Sequence, residues 1–193
     1  MEAQLANLAD EIAYNNHDVD DGLRSALISV EQLSSVHIFE RHLEAVRAQY
    51  PDLVNRRLIH ETVRRMINTL VSDLTERSRA LIAEHRPASL EEVRLAPTLI
   101  AFSPAIREEQ HELKDFLRKH LYQHYRVARM SSKAKRIIRD LFQAFMADSR
   151  LLPPEFQSRA EADLARAIAD YVAGMTDRYA IREHQRLFAV EES

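Results

Sequence analysis

Asp10, Tyr14 and Asp18 are spaced four residues apart near the start of the chain, in Ala9-Asp10-Glu11-Ile12-Ala13-Tyr14 and the residues that follow. At about 100° per residue they line one face of a helix. Leu5, Leu8 and Ile12 fall on roughly the opposite face, and Ala6, Ala9 and Ala13 lie between, small enough to let other helices approach. Carboxylates supply hard oxygen donors and accept hydrogen bonds. A hard divalent cation needs several such ligands in a fixed, partly open sphere, so one carboxylate does not hold a catalytic metal. A polar stripe opposite an apolar one is also the ordinary pattern of a surface helix. The aromatic ring set between two carboxylates distinguishes this one.

A second group of residues is electrostatic. Arg118, Lys119, Arg126, Arg129, Lys133, Lys135, Arg136 and Arg139 follow one another with no acid among them, interleaved with Tyr122, His124 and Tyr125. Three readings stand side by side: a solvated basic face, a site for nucleotide phosphate, and a surface for single-stranded nucleic acid using cations and stacking aromatics. Of the nine histidines, His120 and His124 have the four-residue spacing that can chelate zinc. No third ligand accompanies them and their neighbours are cationic, which favours a structural or solvated role. No serine or threonine lies in a nucleophile-elbow context, and no glycine-rich phosphate loop occurs.

These side chains must be positioned by helices. The chain has 193 residues, two glycines, no cysteine, 46% hydrophobic and 30% charged residues, and 7% aromatics without tryptophan. Scarce glycine with abundant Ala, Leu, Arg and Glu predicts long helices, and the class is an all-α bundle with little or no strand. The absence of cysteine excludes disulfides and thiol chemistry and fits a cytoplasmic location. No run approaches a membrane span, no signal-peptide core opens the chain, and a net charge of −3 gives no global pull on nucleic acid. A first helix should stop near Asp20–Gly22, a second run from about Asp21 to Leu33 with Leu23, Ala26, Leu27 and Val30 buried, and a third cover His37 to Gln49. Pro51 suits the first turn of a long helix to about His85. Ser89 should cap a short turn through Glu92, and Pro97 to Pro104 should be a loop. Helices are expected from Ser103 to about Arg126, Ser132 to Asp148, Arg159 to Ala173 and Thr176 to Leu187, with a break at Pro153-Pro154.

The segment Ala9-Asp10-Glu11-Ile12-Ala13-Tyr14 resembles the last metal-binding helix of the HD-domain deoxynucleoside triphosphate triphosphohydrolases, the dGTPase-like family. Asp170-Tyr171-Val172-Ala173-Gly174-Met175-Thr176-Asp177-Arg178-Tyr179-Ala180 resembles that family's closing motif, and the likeness extends weakly between the two. The resemblance implies that Asp10 is the final aspartate of a His…His-Asp…Asp metal site for Mg²⁺ or Mn²⁺, and that Tyr14 and Asp18 hold the deoxyribose. It implies hydrolysis of a dNTP to deoxynucleoside and tripolyphosphate. It also implies regulation by a second dNTP and assembly into a homo-oligomer, with the Leu5, Leu8 and Ile12 face as one surface for self-association.

No His-Asp doublet precedes Asp10, and His17-Asp18 sits on the sugar-binding part of the motif. The resemblance therefore implies the C-terminal portion of a longer enzyme, inactive and without bound metal when alone. Residues 1–33 would end the HD metal-binding core, and 34–193 would form a C-terminal helical region. Arg126, Arg129, Lys133, Lys135 and Arg136, with Arg178 further on, are the residues available to meet phosphate. The competing reading is a non-catalytic helical module for oligomerisation or regulation that binds nucleotide or single-stranded nucleic acid.

Overall fold

The computed structural model describes residues 1–189, and among these every regular element is helical. The chain packs as two compact units, Met1–His124 and Tyr125–Ser193. Packing does not break at the division expected at 33/34, because helices on both sides of it share the first unit's core.

In the first unit, α1 spans Glu2–Arg24, α2 Val30–Leu33, α3 His37–Gln49, α4 Asn55–His85, α5 Leu90–Leu95 and α6 Pro104–Leu117. The long α4 buries Thr62, Met66, Leu70, Leu74 and Ser78, a step of four residues that keeps one stripe facing inward. α1 and α3 both pack on α4, and α6 packs on α1 and α3. Ile12 and Val19 of α1, Phe39 and Leu43 of α3, and Leu113 and Leu117 of α6 complete the core. The cap foreseen at Ser89 forms, and Ser103 caps α6 in the same way: each serine hydroxyl accepts from a backbone N–H three residues on.

Several expected boundaries move. α1 continues through Gly22 to Arg24, and the helix expected over 21–33 shrinks to the single turn α2. The reversal occurs at Ala26, whose φ of 53° is left-handed, and the N–H groups of Leu27 and Ile28 both donate to the Gly22 carbonyl. Ser29 and Gln32 then restart the chain with a reciprocal capping box. Pro51 lies in a tight turn closed by Leu53 N–H to Tyr50 O, four residues before α4 begins. α6 ends at Leu117 and passes into a π-helical turn, Arg118–Tyr122. The Gln123 N–H donates to Arg118 O, one residue beyond the α-helical partner, which shifts the register of this turn.

The second unit contains α7 (Tyr125–Ala147), a 3₁₀ turn (Ser149–Leu151), α8 (Pro154–Ala160), α9 (Leu164–Ala173) and α10 (Asp177–Phe188). α7 starts seven residues before the expected Ser132, and Asp163, accepting from Arg166 N–H, separates α8 from α9. Its core is smaller: Ile137, Leu141, Phe145, Leu152, Ile168 and Tyr171. The rings of Phe145 and Phe156 flank Tyr171 at 5.4 and 4.8 Å between centroids. His184 Nε2 meets Asp140 Oδ2 at 2.8 Å and fastens α10 to α7. No described helix is long and apolar enough to cross a membrane.

Candidate functional site

The face of α1 that enters the core is Ile12, Asn15, Asn16, Val19 and Gly22. Leu5, Leu8 and Ile12 lie on this same side of the helix, as expected, with Ile12 buried, Leu8 half-buried against the core and Leu5 49% exposed. Two asparagines complete the buried stripe. Asn16 donates from Nδ2 to Ile12 O, and Asn15 donates to Gln110 Oε1 of α6 at 3.2 Å. Glu11 pairs with Lys114 of α6 at 2.6 Å. Buried amides left unpaired are costly, so the Asn15–Gln110 pair fixes the rotation of α1 as well as its position.

That rotation turns Asp10, Tyr14 and Asp18 away from the core. Asp10 is exposed and has no hydrogen bond or ion pair among the described residues. Tyr14 is 63% exposed, an unusual amount of uncovered ring. Asp18 is half-buried, and its Oδ2 accepts a short hydrogen bond from the Tyr122 hydroxyl of the π turn. Asp18 and Tyr122 also line an open cleft of about 460 Å³, together with Asp21, Gly22, Arg24, Ser25, Leu27 and Leu121. Burial, followed by the hydrogen bond to Asp18, pushes the Tyr122 phenol well above the usual tyrosine range.

Gly22 is the floor of this cleft. A Cβ there would sit 2.8 and 2.9 Å from the Ile28 side chain and 3.3 Å from Leu121. Glycine is therefore present for close approach, not to end the helix. Sequence reasoning missed Tyr122, which is 104 residues from Asp18. The aromatic interleaving of the basic stretch drew attention to it, but for a different chemistry.

The histidines do not gather. His37 lies against Glu112, His42 against Thr69, His111 against Asp115, and His120 stacks on Phe116. Burial and the neighbouring Arg41 and Arg65 hold His42 below the usual histidine range. Among the described residues no three His, Asp or Glu side chains come together to hold a metal.

The cations of the second unit separate by helix geometry. Arg126, Arg129, Lys133 and Arg136 fall within about 80° on one face of α7, whereas Lys135 points to the opposite side. Arg129, Lys133, Lys135 and Arg136 are all exposed. Arg178 is exposed in the first turn of α10. Lys133 also borders an apolar groove formed with Met130, Ile137, Ile138, Ala180 and Ile181.

A family described as the phosphohydrolase-associated domain matches residues 100–186, from the loop before α6 into α10. Proteins named deoxyguanosinetriphosphate triphosphohydrolase-like are similar throughout. One from Bordetella pertussis is 63% identical over 188 residues, which is 97% of this chain and 49% of that protein. One from Thiobacillus denitrificans is 62% identical over 192 residues, 100% of this chain and 51% of that protein. One from Nitrosomonas europaea is 60% identical over 193 residues, 100% of this chain and 52% of that protein. The chain spans about half the length of the curated relatives it matches. With identity at this level carried across both units, the chain belongs to the dGTPase-like triphosphohydrolase family.

Proposed function

We propose that this chain is the C-terminal portion of a metal-dependent triphosphohydrolase that converts a dNTP and water to deoxynucleoside and tripolyphosphate. The observation that carries the reading is the outward row Asp10, Tyr14, Asp18 on α1, held in rotation by Asn15–Gln110 and Glu11–Lys114 and ending at a cleft. Asp10 would contribute one oxygen to a Mg²⁺ or Mn²⁺ ion whose other ligands, histidines and an aspartate, come from a different part of the longer protein. Such an ion polarises phosphate and lowers the pKa of bound water. The exposed ring of Tyr14 would lie against the deoxyribose, where a 2′-hydroxyl has no room. Asp18 would accept a hydrogen bond from the 3′-hydroxyl.

The exposed row Arg126, Arg129, Lys133 and Arg136 suits the triphosphate of a regulatory dNTP, with Lys135 and Arg178 in separate positions. A homo-oligomer is the natural setting for such a site.

The test is release of tripolyphosphate from dGTP with Mg²⁺ or Mn²⁺. The complete protein should release it, its Asp10→Ala variant should not, and the 193-residue chain by itself should be inactive. Near-normal turnover by the Asp10→Ala variant, or tripolyphosphate release by the isolated chain, would overturn the assignment.

A further inference from the structure

We propose that copies of this chain meet head to tail, with the exposed Leu95 of one copy seated in the apolar groove between α7 and α10 of the next. The inference rests on the homo-oligomer proposed above and names the two surfaces that form it.

Both surfaces stand outside the two cores. α5 buries none of its six residues, and it carries Leu90 at 59% and Leu95 at 88% exposure. A lone exposed leucine is ordinary, but a helix with two of them and no buried residue has little besides its cap to hold it. In the second unit, no residue of α7 from 125 to 136 is buried. Met130, Ala134 and Ile138 follow one another there at four-residue steps, and Met130 and Ile138 are more than half exposed. With Ile137, Ala180 and Ile181 they line an open groove of about 200 Å³.

Charge selects the occupant. Residues 125–139 hold six cations and no acid, and Lys133 and Lys135 flank the apolar row of α7, one on each side. Two copies of this face laid together about a twofold axis would set those cations against their equals, which disfavours an isologous contact. The partner surface must be acidic, and the first unit supplies one. Residues 1–124 hold 20 Asp or Glu and 15 Lys or Arg, whereas residues 125–193 hold 10 and 12.

α5 carries the inverse of the α7 pattern. Glu91 and Glu92 lie on opposite sides of Leu95, about 40° and 60° away around the helix. An acid, a leucine and an acid on α5 thus face a cation, a groove and a cation on α7. A concave seat between two helices also suits an inserted side chain better than a flat lipid surface does. A head-to-tail contact uses both surfaces of every copy, and it closes into a ring when the rotation between copies divides a full turn.

The 193-residue chain has no cysteine, so introduced thiols report contacts between copies without interference. Leu95→Cys and Met130→Cys chains are prepared separately, mixed in equal amounts and oxidised. A disulfide should form between the two variants in the mixture and not in either chain alone. By sedimentation, Leu95→Asp should weaken association by at least about tenfold with an unchanged melting temperature, because the side chain is exposed. Lys133→Glu should weaken it by a similar factor, and adding Glu91→Lys should recover most of the loss.

A Met130→Cys chain that crosslinks with itself would show an isologous contact and overturn the proposal. A monomer at every concentration would end the homo-oligomer reading together with this one. An oligomer indifferent to Leu95→Asp would leave that reading standing and overturn the interface alone. Vesicles of anionic phospholipid give the last check. If they capture the chain, and Lys133→Glu abolishes capture without rescue by Glu91→Lys, the α7 face belongs to a lipid surface and the proposal falls.

Discussion

The two units solve the same problem, burying helix faces, with different material. In Met1–His124 a broad aliphatic core is crossed by polar contacts that reach the motif helix: Asn15–Gln110, Glu11–Lys114 and Asp18–Tyr122. In residues 125–189 the core is narrower and aromatic, centred on Phe145, Phe156 and Tyr171, and the N-terminal half of α7 stands exposed with its cations outward. Polar contacts that are long-range in sequence specify how α1 is rotated, which a purely apolar stripe leaves loose. The second unit needs no such precision for α7, since a row of solvated cations acts at longer range and tolerates small rotations. The first unit is thereby suited to holding a small ligand in one pose, and the second to attracting charge.

The largest expected effect separates the two units by function. Asp10→Ala in the complete protein should lower turnover by more than about 100-fold, beyond the loss typical of residues that merely support a metal ligand, with an unchanged melting temperature because Asp10 is exposed. Arg129→Ala with Lys133→Ala should leave turnover at saturating substrate within about twofold and alter only its response to added dNTP or salt. Equal losses from both would erase the distinction.

Core truncation tests whether the packing division is also an energetic one. Phe145→Ala should cost about 3–5 kcal/mol, with amide exchange protection lost across α7 to α10 and retained in α3 and α4. Phe39→Ala should do the reverse at similar cost. If either substitution opens both units together, they fold as one.

The two glycines give a finer comparison, one in each unit. Gly22→Ala should destabilise by about 1–3 kcal/mol, because the added methyl meets Ile28 at 2.8 Å. Gly174→Ala should be neutral or stabilising by up to about 1 kcal/mol, since its Cβ would make ordinary contacts at 3.4 Å and longer. Chemical denaturation of both variants checks the contrast.

The smallest effect is electrostatic and lies in the first unit. Hydrogen bonds from Arg64 and then Arg65 hold the Glu61 carboxyl down at about 2, below its ordinary 4.5. A lowered folded-state pKa adds stability above about pH 4.5, and that stability is lost as pH falls toward 2. Glu61→Gln should remove that contribution at neutral pH, a modest loss because the pair is near the surface, and flatten the acid limb so that the two proteins converge toward pH 2. An unchanged acid limb would show that the arginines make no such bond in solution.

Much of the fold was legible in the sequence. The class followed from two glycines in 193 residues, α3 was foreseen from end to end, the cap at Ser89 was read from residue type and spacing, and the start of α6 was expected at Ser103. Two of the boundaries that moved share a feature. The reversal at Ala26 and the π turn at 118–122 carry no glycine or proline to mark them, and each brings a side chain, Ile28 or Leu121, close against Gly22.

Of the candidate site, the sequence by itself determined that Asp10, Tyr14 and Asp18 share one helix face, because a step of four residues is a local property of any α-helix. The apolar residues opposite also indicated that this face turns outward; only the tertiary structure decided how the buried face is completed. Asn15 and Asn16, polar in type, join Ile12 and Val19 in the buried stripe, while Leu5 stays in solvent. Periodicity counts apolar residues and cannot see that an asparagine will find Gln110 95 positions away. The partnership of Asp18 with Tyr122 is hidden for the same reason: a hydrogen bond between residues 104 apart is set by how α1 and the turn after α6 pack, and no local pattern encodes it.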